Sequence, residues 1–234
     1  MKNRKYYQNA INLIDENLKT NVDISSTWYE LLLECKGLLE KEKEKYPEVI
    51  EELSPMELEI RKHQCCAMLK NFFDQKTFEK IMKYIEETDF LYAPASTKYH
   101  GAVPGGLYDH SYDMVQELVY LTKALNLKWE KPRSPIIVGL FHDLCKVNKY
   151  RISEDGTKYE YIPKNYQEGH GSLSVEIIKT LINDLTKEEE LCILYHMGAY
   201  EMNKWKEYDE AIRQYPNVLY THTADMHSSK INNK

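Results

Sequence analysis

One apolar segment near the middle of this 234-residue chain constrains its fold more than any other feature. Residues 134–145 open with a Ser-Pro pair, which is typical of a helix start, and from Ile136 onward they are apolar except for His142 and Asp143. A helix that is apolar nearly all round belongs in the interior of a protein. We therefore expect this segment in the core, with an imidazole and a carboxylate buried side by side.

Helical periodicity dominates the rest of the sequence. Apolar residues recur at spacings of three and four within residues 28–39, 114–125 and 175–185, as on one face of a helix. Thr186 followed by Glu189 matches a capping box, which opens a further helix. These patterns predict an all-α fold.

One segment departs from the helical pattern. In residues 150–161, aromatic and branched side chains alternate around Asp155-Gly156, a strong signal for a hairpin turn. A two-stranded ribbon is not stable alone in water, so it must lie on the helical body. We predict a small β-hairpin insertion near residues 149–162.

A Ser-Pro pair also suggests a domain boundary. The charged residues 40–45 end the apolar periodicity of the preceding helix, and Ser54-Pro55 then resembles a new helix start. We predict an N-terminal helical extension over residues 1–55 and a main domain over residues 56–234. The apolar face between Trp28 and Lys41 leaves two partners open, the main domain or a second subunit in a homo-oligomer.

Composition excludes several classes of function. The 31 basic and 37 acidic side chains give a net charge of −6, and neither half of the chain is basic, which disfavours binding to duplex nucleic acid. No apolar run approaches the length of a membrane span, and no secretory signal is visible. The five cysteines have no repeated spacing. We expect a cytoplasmic protein with buried free thiols and no membrane partner.

In the C-terminal two thirds of the chain, histidines lie close to glycine and aspartate in the sequence. Glycines that flank His110, His170 and His196 suggest tight turns that aim side chains at a shared point. Burial of His142 beside Asp143 is costly unless a further group compensates for the lost solvation. A divalent cation would compensate both, because imidazole nitrogen and carboxylate oxygen are common metal ligands.

The ordered set His110, His142-Asp143 with Lys146, and Asp225 resembles the H…HD…D signature of the HD-domain superfamily of metal-dependent phosphohydrolases. Segments around residues 94–110, Gly169-His170 and His196 are similar to a branch of small bacterial and phage HD hydrolases. The resemblance covers roughly residues 56–234 and implies an HD-domain helical bundle with two metal ions.

The resemblance also implies residue roles. A first ion would be bound by His110, His142, Asp143 and Asp225, and Asp143 would bridge to a second ion completed by His170 and His196. Asp143 and Lys146 would be catalytic, with Lys146 stabilising phosphate oxygens or orienting the nucleophile. Weaker candidates for binding phosphate at the rim are His100, Lys98, Lys149 and Arg151. This ligand set contains no sulfur, and Mn, Fe, Ni, Co or Mg all remain open as the divalent ion.

The expected function is hydrolysis of a phosphate ester of a nucleotide or another small molecule by a metal-activated water. Three alternatives stay open. One is a 3′-to-5′ exonuclease acting on single-stranded nucleic acid, and another is a di-iron oxygenase built on the same fold. The third is a non-catalytic binding module in which metal stabilises the fold.

Overall fold

A computed structural model describes residues 4–20, 26–46, 48–99, 101–165, 169–198 and 205–232. Nearly all regular structure in these ranges is helical. The α-helices are α1 (Arg4–Thr20), α2 (Ser26–Lys43), α3 (Pro55–Leu69), α4 (Gln75–Glu87), α5 (Gly106–Leu125), α6 (Ser134–Phe141), α7 (His170–Leu181), α8 (Lys187–Leu194), α9 (Trp205–Gln214) and α10 (Asn217–His227). The predicted all-α class is therefore confirmed.

The chain divides into two units. The first comprises Met1–Ile50 and Ser153–Lys158, and the second comprises Glu51–Ile152 and Tyr159–Lys234. The boundary predicted after residue 55 falls at the start of α3, where Ser54 and Glu57 form a reciprocal capping box.

In the first unit, α1 packs along α2. Tyr7 of α1 is buried, and its ring stacks on Tyr46 with centroids 5.3 Å apart. Asp15 of α1 accepts a hydrogen bond of 2.6 Å from the ammonium of Lys36 in α2. The pair is thus held by one aromatic stack and by polar links along its length.

In the second unit, α5 and α6 approach each other closely at a glycine. A Cβ on Gly139 would lie 2.8 Å from the backbone of Val115, so no larger residue fits there without a shift of one helix. α6 is buried along almost its whole length, as its apolar sequence predicts. Ser134 does not cap α6 as expected, because its hydroxyl donates instead to the buried carboxylate of Glu189 at 3.0 Å.

A second close approach joins the start of α7 to the end of α8. A Cβ on Gly171 would meet the carbonyl oxygen of Leu194 at 1.9 Å, which only glycine avoids. α10 also packs against both α5 and α8. These contacts bring the start of α5, the end of α6, the end of α8 and α10 to one region of the second unit.

The predicted hairpin is present. β1 (Tyr150–Ile152) pairs antiparallel with β2 (Tyr159–Tyr161), with Ile152 opposite Tyr159. Six residues connect the strands instead of the two that the Asp155-Gly156 signal suggests, because the Asp155 carboxylate accepts bonds from Ser153 and Thr157 and organises a longer turn. None of the helices in the described ranges is long and apolar enough to cross a membrane.

Candidate metal centre

Five side chains of the predicted ligand set meet in the interior of the second unit. His110 lies in the first turn of α5, His142 and Asp143 follow the end of α6, His196 follows α8, and Asp225 lies in α10. All five are buried, with 6 % exposure or less.

The expected continuous helix through Cys145 is wrong. α6 ends at Phe141, Asp143 leaves helical geometry with φ −105° and ψ 22°, and a 3₁₀ turn follows over Leu144–Lys146. Adjacent residues of an α-helix point about 100° apart, whereas this break lets the side chains of His142 and Asp143 converge. It also brings the Lys146 ammonium to 2.8 Å from Asp143 Oδ2.

The distances within this group are short. His110 Nε2 lies 3.1 Å from His142 Nε2 and 3.0 Å from Asp225 Oδ1. His142 Nε2 lies 3.3 Å from Asp143 Oδ2, and His196 Nε2 lies 3.5 Å from the other oxygen, Oδ1. The two oxygens of Asp143 therefore face different histidines, as in a carboxylate that bridges two ions.

Two histidines are oriented by the same kind of hydrogen bond to the backbone. His142 Nδ1 lies 2.9 Å from the carbonyl oxygen of Gly139, and His196 Nδ1 lies 2.8 Å from that of Ile193, each three residues earlier. A carbonyl only accepts, so each Nδ1 carries the proton, and in the neutral ring each Nε2 presents a lone pair. This arrangement is typical of metal-binding histidines.

The protonation of the site follows from this arrangement. Burial opposes ionisation of Asp143, but its pKa lies well below its usual range, chiefly because the Lys146 ammonium is 2.8 Å from Oδ2. Burial likewise opposes ionisation of Asp225, yet its hydrogen bond with His110 lowers that pKa to about 2. Burial lowers the pKa of His142, which is therefore neutral.

His196 carries the clearest sign of an absent partner. Its Nε2 is buried, and within the described part of the chain that atom has no hydrogen-bond partner. A buried unsatisfied nitrogen costs free energy that a bound cation would recover. The Asp143 carboxylate, with Oδ1 3.5 Å from this nitrogen, raises the pKa of His196 against the effect of burial, so this position favours positive charge.

The donor set fits a divalent transition ion. Atoms bound at about 2.1 Å to one ion lie about 3.0 Å apart at neighbouring octahedral positions and about 3.4 Å apart at tetrahedral ones. The separations of 3.0, 3.1 and 3.3 Å among His110, His142, Asp143 and Asp225 fall in this range. The buried group of His110, His142 and Asp143 can thus hold a metal ion.

A second group extends from the same aspartate. Asp143, Cys145 and His170 each offer one ligand atom, and the three atoms lie within 4.8 Å of one another. His170 Nδ1 faces Cys145 Sγ at 3.4 Å. This group includes a sulfur atom, which the expected ligand set does not, because the turn after Asp143 directs the Cys145 side chain toward His170.

A cavity of about 370 Å³ opens on these ligands. Its wall contains His110, Asp143, His170 and Asp225 together with the cation of Lys146. The rest of the lining comes from α10 and the turn after it, with His222, Met226, Ser229 and Lys230, and from Met197, which follows α8. A ligand of ordinary small-molecule size fits such a volume.

The predicted rim residues lie elsewhere or beyond what the structure describes. Lys98 and Arg151 are exposed, and Arg151 lies 3.6 Å from Glu160 on the hairpin. Lys149 is half-buried, and among the described residues none of these three lines the cavity. His100 lies outside the described residues.

Sequence reasoning overlooked Lys230 and Ser228, which follow α10. Lys230 lines the cavity, and Ser228 Oγ lies 3.1 Å from His110 Nδ1, so it helps to orient that ring. His222 also lines the cavity, and its Nδ1 donates to the backbone carbonyl of His196 at 2.8 Å. No sequence motif marks Lys230 or Ser228, since only the packing of α10 brings them to the site.

Comparisons with known proteins identify no relative. No family model matches the chain, and neither a curated protein nor a solved structure does.

Proposed function

We propose that this protein is a metal-dependent phosphohydrolase that cleaves a phosphate ester of a nucleotide or another small molecule. The observation that supports it most is a buried metal-ligand set that opens on a cavity also lined by Lys146 and Lys230. Metal ions beside ammonium groups suit an anionic substrate. The ligand order along the chain, which resembles the HD superfamily, supports the same reaction class.

Charge balance at the site supports an anionic substrate. Asp143 and Asp225 contribute two negative charges, and Lys146 contributes one positive charge, which leaves the site at −1. One divalent ion would bring the site to +1, and two would bring it to +3. A loaded site is therefore cationic at the cavity wall and attracts phosphate more strongly than a neutral ester.

The chain's own residues would bind and orient the substrate. A bound ion would supply an activated water and neutralise charge on phosphoryl oxygens. Lys146 reaches the cavity with 13 % of its side chain exposed, and would offer its ammonium to a phosphate oxygen. Lys230 would bind a second oxygen, and Met197 and Met226, which also line the cavity, would provide apolar surface for the rest of the ligand.

His222 would hold the geometry of the cavity lining beside His196. Its Nδ1 donates to the carbonyl of His196, and its ring packs at the glycine turn of Gly198, where a Cβ would lie 2.9 Å away. Because His222 binds the backbone at a ligand, it would position His196 relative to Asp143.

The test is an activity screen on full-length protein of known metal content. Protein purified without chelator is analysed for metals, stripped, and reloaded separately with Mn, Fe, Co, Ni, Zn and Mg. Each form is assayed for phosphate release from nucleoside mono- and triphosphates and for cleavage of a phosphodiester. We expect hydrolysis with at least one ion, and Lys230→Met is expected to raise KM more than it lowers kcat.

The control variant is Lys131→Met, which removes an ammonium that pairs with Asp184 and does not line the cavity. It should leave KM unchanged. Failure of every metal-loaded form to hydrolyse any of these substrates would contradict the proposal. Degradation of a labelled single-stranded oligonucleotide without hydrolysis of small esters would favour the exonuclease alternative instead.

A further inference from the structure

Cys145 lies within the candidate metal centre. Its side chain is buried, and its backbone N–H donates to the hydroxyl of Ser174 at 3.1 Å, which holds the turn in place. Its Sγ lies 3.4 Å from His170 Nδ1, and both atoms lie within 4.8 Å of a carboxylate oxygen of Asp143. Three different ligand types therefore converge on one point.

The separation of sulfur and nitrogen matches one coordination shell. Thiolate binds zinc at about 2.3 Å and imidazole at about 2.05 Å, which places the two atoms about 3.6 Å apart at a tetrahedral ion. The observed 3.4 Å agrees with this value. Asp143 would complete a set of three from protein atoms, and its second oxygen would remain with the first group.

A separate observation also points to a cation at Asp143 beyond the one that the first group could hold. His196 Nε2 is buried, has no hydrogen-bond partner within the described ranges, and lies 3.5 Å from Asp143 Oδ1. His142 and Lys146 instead face Oδ2. The unpartnered nitrogen thus approaches the oxygen that the first group leaves available.

We propose that Cys145 is a thiolate ligand of a second metal ion, held with Asp143 and His170. On binding, the S–H bond breaks, the proton leaves to solvent, and the sulfur–metal bond forms. Thiolate selects zinc, cobalt and similar ions and disfavours magnesium. This inference rests on the proposed function only because both require a metal ion at Asp143. It does not depend on hydrolysis.

Cobalt provides the direct test. Stripped full-length protein is titrated with Co²⁺ while absorption is recorded, because a cobalt–thiolate bond gives an intense near-ultraviolet charge-transfer band that nitrogen and oxygen ligands do not give. We expect this band in the wild type with up to two ions bound per chain. In Cys145→Ser the band should disappear, and affinity for one of the ions should fall at least about 10-fold.

Cys65→Ala is the matched control, since Cys65 is also buried but lies in the core beside Tyr108. It should keep the band. If wild-type protein binds cobalt without the band, or if the band persists in Cys145→Ser, then Cys145 is not a ligand and the inference is wrong. Absence of the band in the wild type refutes the inference even where the serine variant does not fold.

Cobalt titration and the hydrolysis assay together distinguish failure of the Cys145 ligand from failure of the proposed phosphohydrolase function. Cobalt binding without the band, together with hydrolysis of a phosphate ester, would refute the sulfur ligand and leave the proposed function intact. The band without hydrolysis by any metal form would support the sulfur ligand and contradict the proposed function. Absence of cobalt binding would refute the sulfur ligand, whereas the proposed function is refuted only if no metal-loaded form hydrolyses any of the substrates.

Discussion

At the scale of single residues, Asp143 links the two groups of candidate ligands. One oxygen faces His142 and Lys146, and the other faces His196. Lys146 neutralises the carboxylate, so the buried charge is paired. No other carboxylate in the described ranges has three histidines and a lysine within 4 Å, which makes Asp143 the most informative position to change.

Asp143→Asn tests this position with little change of shape. The amide removes the negative charge that would hold a cation, so we expect bound metal per chain to fall and hydrolysis to drop at least about 100-fold. Metal analysis by mass spectrometry and the assay of the responsive substrate measure both effects. Asp184→Asn is the control, because Asp184 pairs with Lys131 and Arg133 away from the cavity. Wild-type metal content in Asp143→Asn would contradict the assignment.

His170→Ala separates the two metal positions. His170 belongs to the second group and has no place among the four ligands of the first. We expect about two ions per chain in the wild type and about one in the variant, measured on protein purified without chelator. An unchanged metal content would remove His170 from the ligand set.

At the scale of elements, two glycines hold the helices close enough to form the site. Gly139 lies three residues before His142, and its carbonyl orients that ring. Gly171 follows His170 and lies against Leu194, two residues before His196. At both glycines, the close approach of two backbone segments therefore also fixes the position of a nearby candidate metal ligand.

Gly139→Ala should separate α5 from α6. The added methyl would lie 2.8 Å from the backbone of Val115, and we expect a loss of about 1–3 kcal/mol in the free energy of unfolding together with weaker metal binding. Gly37→Ala is the matched control, because nothing lies within 4 Å of a Cβ there and α2 should gain about 0.5–1 kcal/mol. Denaturant titration measures both, and equal effects of the two substitutions would refute the packing argument.

The stabilising contribution of the hairpin turn should depend on pH. Hydrogen bonds from Ser153 and Thr157 lower the pKa of Asp155 from 3.8 to about 2. A carboxyl with a lowered pKa stabilises the folded state above its unfolded pKa, and this contribution is lost as the pH falls from about 4 toward 2. We expect the Asp155 carboxyl signal in nuclear magnetic resonance spectra to remain that of a carboxylate at pH 3.8. Half protonation at that pH would show that the bonds do not persist in solution.

At the scale of the whole molecule, the candidate site joins segments that are distant in sequence. His110 and its partner Ser228 are 118 positions apart, and His142 and His196 come from between them. An ion bound at this point would connect α5, α8 and α10 through the turn after α6. Metal binding should therefore be coupled to the stability of the second unit.

Metal removal tests that coupling. An ion present at 100 times its dissociation constant adds about 2.7 kcal/mol, which corresponds to a rise of about 5–10 °C in Tm for a chain of this size. We expect a chelator to lower Tm by that amount and added metal to restore it, as measured by calorimetry. In Asp225→Asn the shift should be smaller, and an identical shift in that variant would contradict the ligand set.

Much of the local structure was predictable because it depends on neighbours in sequence. Apolar periodicity predicted the helical class, and the capping boxes at Ser54 and Thr186 are present. The hairpin also follows from local turn chemistry, although Asp155 makes its loop longer than expected. In each case the deciding interactions span a few residues.

The sequence by itself determined the helical class, the hairpin, and the burial of a histidine beside an aspartate in an apolar segment. Only the tertiary structure decided the break after Phe141, the approach of Cys145 to His170, and the placement of Lys230 at the cavity. Those features depend on which helices pack together, and packing joins residues far apart in the chain. Spacing along a sequence records local geometry, whereas the direction of a ligand atom in the core is set by the neighbours that fill the space around it.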